Sequence, residues 1–233
     1  ILEDNAYLIS MVPVEELLRF GYEAGLNQSS RVLDLCCGYG TVLKVWSEAF
    51  GIVGVGVDRD EGFIATGKER LEKAAIEGIR LVCEDVTNYL DTEKYDVVIC
   101  SETIGSICDT LRLGEKFLKK GGIIAYQKLY SKVANPPKEL IEFDGEVLPL
   151  ATLNYIFNEN GYCLISMASD TDSAWERYVI NWSGRNDINR LRENPSDKGL
   201  KEWIDKWYGM YFDYRRQYEG QAMFGLQRLF DEM

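Results

Sequence analysis

The sequence predicts an α/β fold with a largely parallel sheet. Apolar, strand-like runs alternate with helical stretches from residue 31 to about residue 169, and this alternation is typical of right-handed βαβ units. The run YDVVIC at 95–100 is almost continuously apolar, as expected of a strand that helices cover on both faces. A chain of 233 residues is long enough for one such domain with an appendage.

The predicted elements follow one another in regular order. Strands are predicted at 31–35, 52–57, 79–85, 95–100 and 123–129, and helices at 41–50, 60–77 and 110–120. Gly78 ends the second helix, and Gly121-Gly122 separates the third helix from the fifth strand. Because ligands of such sheets bind beyond the carboxyl ends of the strands, the residues that follow each strand are the candidates for a site.

Two segments do not fit the alternation. Residues 131–150 are long and proline-rich, which predicts a loop that covers part of the sheet. The segment 171–219 contains four of the five tryptophans of the chain and many tyrosines. These rings indicate either helices that pack on the sheet or the walls of an apolar ligand pocket, and the sequence leaves both interpretations open.

Composition excludes several classes of function. A net charge of −12 disfavours nucleic acid and anionic membranes as partners. The chain has no window of 18 apolar residues and no basic region followed by an apolar run at its start, so we expect neither a transmembrane helix nor a signal peptide. Six cysteines without a CxxC pair favour reduced thiols and a cytoplasmic location.

The sequence contains no histidine, which excludes imidazole bases and His-based metal sites. The adjacent Cys36 and Cys37 lack the usual spacing of metal ligands, so no metal is expected. Any general base would have to be a carboxylate or a tyrosine.

The stretch VLDLCCGYG at 32–40 predicts a strand that ends in a glycine loop. Such a loop lets backbone N–H groups approach a ligand at a helix N-terminus, and dinucleotides and S-adenosylmethionine (SAM) both use this arrangement. The dinucleotide fingerprint needs a third glycine where this chain has Leu43. Asp34, four residues before Gly38, would repel a pyrophosphate and would attract the cationic end of an amino-acid ligand. These features favour SAM.

The chain resembles the class I SAM-dependent methyltransferases. VLDLCCGYG is similar to their first motif, VLDLGCGxG, with Cys36 in place of the first glycine. The later motifs of the family match, in order, Asp58 after strand two, Asp85 and Val86 after strand three, Ser101-Glu102-Thr103 after strand four, and the KKGG turn at 119–122. Together these elements cover residues 31–129 and are specific.

The resemblance implies SAM as cofactor and a Rossmann-like, seven-stranded, mostly parallel sheet of order 3-2-1-4-5-7-6. Strand six would lie at 161–168, and the antiparallel strand seven at 222–229. The cofactor-binding residues that it implies are Asp34, Cys36, Gly38, Tyr39, Gly40, Asp58, Arg59, Asp85, Val86 and Ser101.

A second resemblance extends to the C-terminal half. The segments AWERYVINW, RLRENPSD and YEGQAMFGL are similar to a bacterial subfamily of uncharacterised, small-molecule-type methyltransferases. It implies one domain over 1–233, with a SAM-binding core at 24–170 and 220–233. Residues 1–23, with a helix at 14–23, and residues 171–219 would form a helical cap over the acceptor site.

Each cofactor residue also has a structural interpretation. Asp34 can be a structural acid, Asp58 can cap the following helix as Asp60 also can, and Asp85 can begin a turn. The NPPK sequence at 135–138 is similar to the NPPY motif of amino-directed nucleic-acid methyltransferases, but it follows strand five and Lys138 replaces the stacking aromatic residue. We therefore disfavour a nucleic-acid acceptor.

The methyl acceptor is expected to be a small molecule. Glu102 and Tyr178 are the catalytic candidates, and Tyr130, Trp175, Arg177 and Tyr178 are the substrate-binding candidates. The alternatives are a cofactor contact for Glu102, core packing for Trp175 and Tyr178, and a structural ion pair for Arg177. A catalytically silent SAM-binding protein and a nicotinamide-dependent oxidoreductase remain as rival functions. The protein is expected to be a monomer or a homodimer.

Overall fold

The computed structural model describes residues 2–145 and 147–229. Over these residues, the strands are β1 Arg31–Leu35, β2 Val53–Asp58, β3 Ile79–Cys83, β4 Tyr95–Cys100, β5 Leu118–Ser131, β6 Tyr162–Ser169 and β7 Glu219–Arg228. They form a seven-stranded sheet of order β3-β2-β1-β4-β5-β7-β6. β7 is antiparallel to both of its neighbours, and the other pairs are parallel. The predicted Rossmann-like fold and its strand order are confirmed.

Helices surround the sheet. They are α1 Leu2–Ala6, α2 Val14–Glu23, α3 Thr41–Phe50, α4 Glu61–Lys73, α5 Ile107–Glu115, α6 Lys138–Asp144, α7 Leu150–Glu159, α8 Asp172–Glu176, α9 Arg185–Glu193, α10 Lys198–Met210 and α11 Arg216–Tyr218. Two π-helical segments, Arg177–Gly184 and Tyr211–Arg215, continue α8 and α10. Segments of this kind are rare and are frequent at functional sites.

The two faces of the sheet bury separate apolar clusters. On one face, α2 packs against α3 through stacked rings of Phe20 and Trp46, whose centroids are 6.0 Å apart. The indole N–H of Trp46 donates to the carbonyl oxygen of Leu17 at 2.8 Å, so this buried ring leaves no polar atom unsatisfied. This packing fixes α3, and with it the glycine loop that precedes α3.

Three predicted boundaries are corrected by the structure. The turn predicted at 119–122 lies inside β5, where the register with β4 shifts: Tyr95 pairs with Leu118 and Val97 with Ile123, so the extra residues lie in β5 between these pairs. The helix predicted at 110–120 begins at Ile107, where Ser106 forms a capping box, and it ends at Glu115. The loop predicted at 131–150 contains helix α6, which starts directly after Pro137.

Two parts of the chain lie outside the alternating core: an N-terminal segment, residues 2–13, and the inserted helices, residues 172–218, between β6 and β7. A small apolar cluster joins them, because Met11 packs with Trp175, Val179 and Tyr211. The guanidinium of Arg177 joins them a second time, through bonds to backbone carbonyls of the N-terminal segment. In the following text, these two parts together are called the cover.

Candidate active site

The glycine loop after β1 needs its glycines for conformation and for space. Gly38 and Gly40 have φ values of 54° and 67°, a region that side chains with a Cβ rarely adopt. A Cβ on Gly40 would lie 2.8 Å from Cδ2 of Leu81, so a larger residue would collide with β3. Cys36 shares the left-handed conformation with a φ of 64° and is a strained non-glycine residue in this loop.

Asp34 is buried under this loop with a relative exposure of 1%. Its Oδ1 accepts a hydrogen bond from the Ser101 hydroxyl at 3.2 Å. Its Oδ2 is buried and has no hydrogen-bond partner among the described residues. Burial raises the pKa of Asp34 to about 8, and the nearby Asp58 carboxylate acts in the same direction. An unsatisfied buried carboxylate is costly, so this oxygen is suited to receive a cationic or donor group of a ligand.

Asp58, at the end of β2, holds the glycine loop in place. Its Oδ2 accepts a hydrogen bond from the Gly38 N–H at 2.8 Å, and its Oδ1 accepts one from the Asp60 N–H at 2.9 Å. Asp60 is the residue that caps α4, by accepting from the Phe63 N–H. The capping interpretation of Asp58 is therefore wrong, because Asp60 takes that role.

A cavity of about 600 Å³ opens at the carboxyl ends of β2, β3 and β4. Six predicted site residues line it: Cys36, Asp58, Arg59, Asp85, Val86 and Glu102. The Asp85 carboxylate accepts hydrogen bonds from the N–H and the hydroxyl of Thr87, as in a turn. These bonds lower its pKa, so Asp85 is ionised at the rim of the cavity. Asp85 can therefore begin this turn and line the cavity at the same time.

A smaller cavity of about 120 Å³ lies on the other side of Cys36. The predicted residues Asp34, Cys36, Gly38, Tyr39, Asp58, Ser101 and Glu102 line it. Tyr7, Leu8, Ile9 and Ser10 of the N-terminal segment also line it. A Cβ on Gly38 would lie 3.1 Å from Cδ1 of Ile9, which shows how closely this segment lies over the loop.

Cys36 separates the two cavities and is chemically inert. Burial, with the neighbouring carboxylates of Asp58, Glu102 and Asp34, raises the pKa of its thiol to about 12. A thiol in this state is neutral and a poor nucleophile. Among the described residues, no group of three or more His, Cys, Asp or Glu side chains is arranged to hold a metal ion.

Glu102 follows β4 and lines both cavities. Burial raises the pKa of its carboxyl group, and the Lys128 ammonium opposes this shift. The Lys128 ammonium also lies 3.4 Å from the Thr103 hydroxyl, which is bonded to Tyr126 at 2.6 Å. Glu102 is thus a carboxyl group with a raised pKa that lines both cavities, and it can exchange a proton with a ligand in either.

Tyr178 lines neither cavity and packs against the small apolar cluster of the cover. Its ring stacks on Trp182 with centroids 5.4 Å apart. Burial raises the pKa of its hydroxyl group, and Glu102 contributes to the rise, so the two groups are electrostatic neighbours. Trp182 lies within hydrogen-bonding reach of Tyr39 in the glycine loop. The π-helical segment that carries both rings therefore closes over the loop.

The other three substrate-binding candidates lie elsewhere. Trp175 is 1% exposed and packs in the small cluster of the cover. Tyr130 is 9% exposed and packs edge-on against Phe224. The Arg177 guanidinium donates to the carbonyl oxygens of Asn5, Leu8 and Ser10. None of these three side chains lines either cavity, and the contacts that the structure shows for Trp175 and Arg177 are structural ones.

Sequence reasoning missed two parts of the site. One is the contact of Tyr7–Ser10 with the glycine loop, because residues 1–23 were expected over the acceptor site and this stretch carries no motif. The other is Gln127 of β5, which lines the smaller cavity at 6% exposure. A signal for Gln127 was present, because an amide inside the apolar run IIAYQKL is unusual for a buried central strand.

The chain is similar to known proteins at three levels. Residues 32–122 match a family model described as a methyltransferase domain. An uncharacterised protein of Escherichia coli K12, YjhP, is 28% identical over 225 residues, which are 91% of this chain and 90% of that protein.

Solved structures give the same fold. A SAM-dependent methyltransferase from Geobacter sulfurreducens, in complex with S-adenosyl-L-homocysteine (SAH), superposes with a TM-score of 0.86 and 26% identity over 95% of this chain and 93% of that one. A SAM-dependent methyltransferase from Thiobacillus denitrificans, also with SAH, has a TM-score of 0.88 and 24% identity over 95% and 94% of the two chains. At that identity, the second likeness supports the fold alone.

Proposed function

We propose that this chain, a SAM-dependent methyltransferase, transfers the methyl group to a small-molecule acceptor. The observation that carries the proposal is the cover over the smaller cavity. The N-terminal segment lies over the glycine loop and lines this cavity of about 120 Å³, and Trp182 of the inserted helices contacts Tyr39 of the same loop. A site with such a cover beside the cofactor suits a small acceptor better than a macromolecular chain, because the cover limits the space from which an acceptor approaches.

The residues present fit the cofactor. Asp34 has an unpaired buried oxygen for the ammonium group of an amino acid, and the glycine loop offers backbone N–H groups to its ligand. Asp58 and Asp85 place carboxylates at the larger cavity, where they can accept hydrogen bonds from hydroxyl or amino groups. When bound, SAM supplies a methyl group on a sulfonium leaving group, so that the protein needs mainly to position the acceptor.

Glu102 is the proposed proton acceptor. Its raised pKa brings its carboxyl group closer to the range in which a side chain takes up protons near neutral pH. The Lys128 ammonium opposes this rise in the pKa and favours the ionised form of Glu102. This base acts when the acceptor is a hydroxyl or an ammonium group, and it is dispensable for an acceptor that is already deprotonated.

Tyr178 is proposed to act as a hydrogen-bond donor. Because burial raises the pKa of its hydroxyl, Tyr178 stays protonated at neutral pH and is a poor base. Its place beside Glu102 suits a role in orienting the acceptor. This divides the two catalytic candidates into a base and a positioning group.

Other aspects of the function rest on composition. The net charge of −12 supports a function without nucleic acid or membrane partners, and all six cysteines are free, which supports a reducing compartment such as the cytoplasm. No helix among the described residues is long and apolar enough to span a membrane. We retain the expectation of a monomer or a homodimer.

The test combines binding with turnover. Calorimetry with SAM, SAH and NAD should show binding of SAM and SAH and none of NAD. Incubation with methyl-labelled SAM and a panel of amines, phenols, thiols and carboxylates should then transfer label to a member of the panel. The variant Glu102→Gln should keep SAH affinity and lose most transfer to hydroxyl and ammonium acceptors. SAH binding without transfer to any small acceptor, together with labelling of protein or RNA in a lysate, would overturn the small-molecule proposal.

A further inference from the structure

Gln127 is a buried amide in the middle of β5. It pairs with Met223 of β7 in the sheet and is followed by Lys128 and Leu129. Its side chain is 6% exposed. The preceding residues Ile123–Tyr126 are all apolar and buried, so a polar side chain here has no evident role in the packing of the strand.

The Gln127 side chain makes no hydrogen bond with any other described residue, and it lines the smaller cavity. The Gln127 amide is thus buried in the fold but open to this cavity, where a ligand can bond it. Gln221 of β7 differs, because it accepts hydrogen bonds from the Ser10 hydroxyl and from the Met11 N–H.

The register of the sheet places Gln127 opposite Asp34 across this cavity. Asp34 of β1 pairs with Ile99 of β4, and Ile99 pairs with Ala125 of β5, so these side chains share one face. Two residues further along, Ser101 and Gln127 lie on the same face, because side chains alternate along a strand. Asp34 and Gln127 are two strands apart, which is about 10 Å between their strands.

The two ends of the cavity differ in charge. At one end, Asp34 offers an unpaired carboxylate oxygen, which suits an ammonium group. The neighbouring Asp58 and Glu102 also line the cavity, so a ligand carboxylate would be repelled there. At the other end, Gln127 offers an amide whose NH₂ donates two hydrogen bonds without adding charge. An amino acid, with one ammonium and one carboxylate, fits this arrangement.

We propose that the Gln127 side-chain amide donates to the carboxylate at the amino-acid end of the bound cofactor. Gln127 is then a cofactor-binding residue that acts together with Asp34. The assignment depends on the cofactor and is independent of the methyl acceptor.

Calorimetry with two ligands tests this assignment. SAH carries the amino-acid group, whereas 5′-methylthioadenosine shares the adenosine and sulfur and lacks that group. Gln127→Leu should weaken SAH about tenfold or more, because a bond to a charged group is lost. The same variant should change the affinity for 5′-methylthioadenosine less than twofold. Gln127→Glu should weaken SAH further, because it replaces the donor with a like charge.

Controls keep the result interpretable. Gln28→Leu removes an exposed amide far from the cavity and should change neither affinity. Thermal unfolding of each variant checks that the chain folds. If the Gln127→Leu variant does not fold, the Gln127→Glu variant, which keeps the shape of the side chain, is used in its place. Unchanged SAH affinity, or an equal loss for both ligands, would overturn the proposal. Failure of the parent protein to bind SAH at all would overturn the cofactor site itself, and failure to find an acceptor would affect neither outcome.

Discussion

The cofactor side of the site and the cover are built by different means. The cofactor side is positioned largely by the backbone: β1, β2 and β4 are in parallel register, and the Cys37 N–H at the start of the glycine loop donates to the carbonyl oxygen of Val57 at 3.0 Å. The cover is positioned by side chains. Arg177 holds the N-terminal segment by its carbonyls, and aromatic rings stack along the inserted helices.

A buried ionic group at the base of the cover shows the same contrast. The Arg215 guanidinium bonds Glu219 of β7 at 2.7 Å and Asp144 of α6 at 3.1 Å. One side-chain atom of each of these three residues is buried without a partner among the described residues. Burial raises the pKa of Glu219 to about 7, while Arg215 opposes that rise. This cluster therefore joins the inserted helices to β7 and α6 through side chains.

The largest expected effect concerns the stability of the cover. Trp175→Ala removes a fully buried ring that stacks on Tyr211 with centroids 6.1 Å apart. We expect a loss of about 3–5 kcal/mol in the free energy of unfolding, measured by urea denaturation. The control Trp203→Ala removes a ring that is 44% exposed and should cost far less. Equal stability of the Trp175 variant and the parent protein would show that the cover does not depend on the apolar cluster that contains Trp175.

The next effect concerns the cofactor side. Asp58→Ala removes a carboxylate that fixes the glycine loop and lines both cavities. SAH affinity, measured by calorimetry, should fall about 10- to 100-fold, because charge-assisted bonds are lost. Asp109→Ala, which removes an acid from the capping box of α5, is the matched control and should leave affinity unchanged. An unaltered dissociation constant for the Asp58 variant would remove this residue from the site.

The pH dependence of binding follows from Asp34. Its pKa of about 8 means that it holds a proton at neutral pH without a ligand. Because an ammonium group favours the carboxylate, binding releases this proton, and SAH affinity should rise by up to about tenfold per pH unit as the pH approaches 8. Above pH 8 the carboxylate is already ionised and the dependence should level off. The Asp34→Asn variant should bind SAH weakly at every pH. If its SAH affinity still depended steeply on pH, the released proton would belong to another group.

The smallest expected effect concerns the hydrogen bonds by which Arg177 joins the two parts of the cover. Arg177→Met removes the donor to three carbonyl oxygens of the N-terminal segment. SAH should dissociate about three- to tenfold faster in stopped-flow experiments, because the segment over the loop opens more often. The matched control is Arg185→Met. Arg177 and Arg185 both line an outer cavity of about 470 Å³, so this variant also removes a guanidinium there. SAH should dissociate from it at the same rate as from the parent protein. Equal rates for the two variants would show that Arg177 does not control access.

The cofactor half of the site was predictable because its signals are local. A strand, a glycine loop and a helix occupy consecutive residues, so Asp34, Gly38 and Gly40 can be recognised from their spacing alone. Asp58 and Asp85 follow the next two strands, and parallel strands bring their carboxyl ends to one edge. The sheet order came from the resemblance of these motifs to a family, and the structure confirms it.

The cover was not predictable in the same way, because its contacts join residues that are far apart in the sequence. Arg177 bonds a carbonyl 172 positions away, and Ser10 bonds a glutamine 211 positions away. Aromatic composition indicates burial without showing which partners a ring packs against, as for Trp175 on Tyr211 and Tyr178 on Trp182. The sequence by itself therefore determined the sheet and the place of the cofactor. Only the tertiary structure decided which contacts hold the cover in place, and it brought Gln127 to the cavity, because the partners of a side chain depend on which distant segments pack against it.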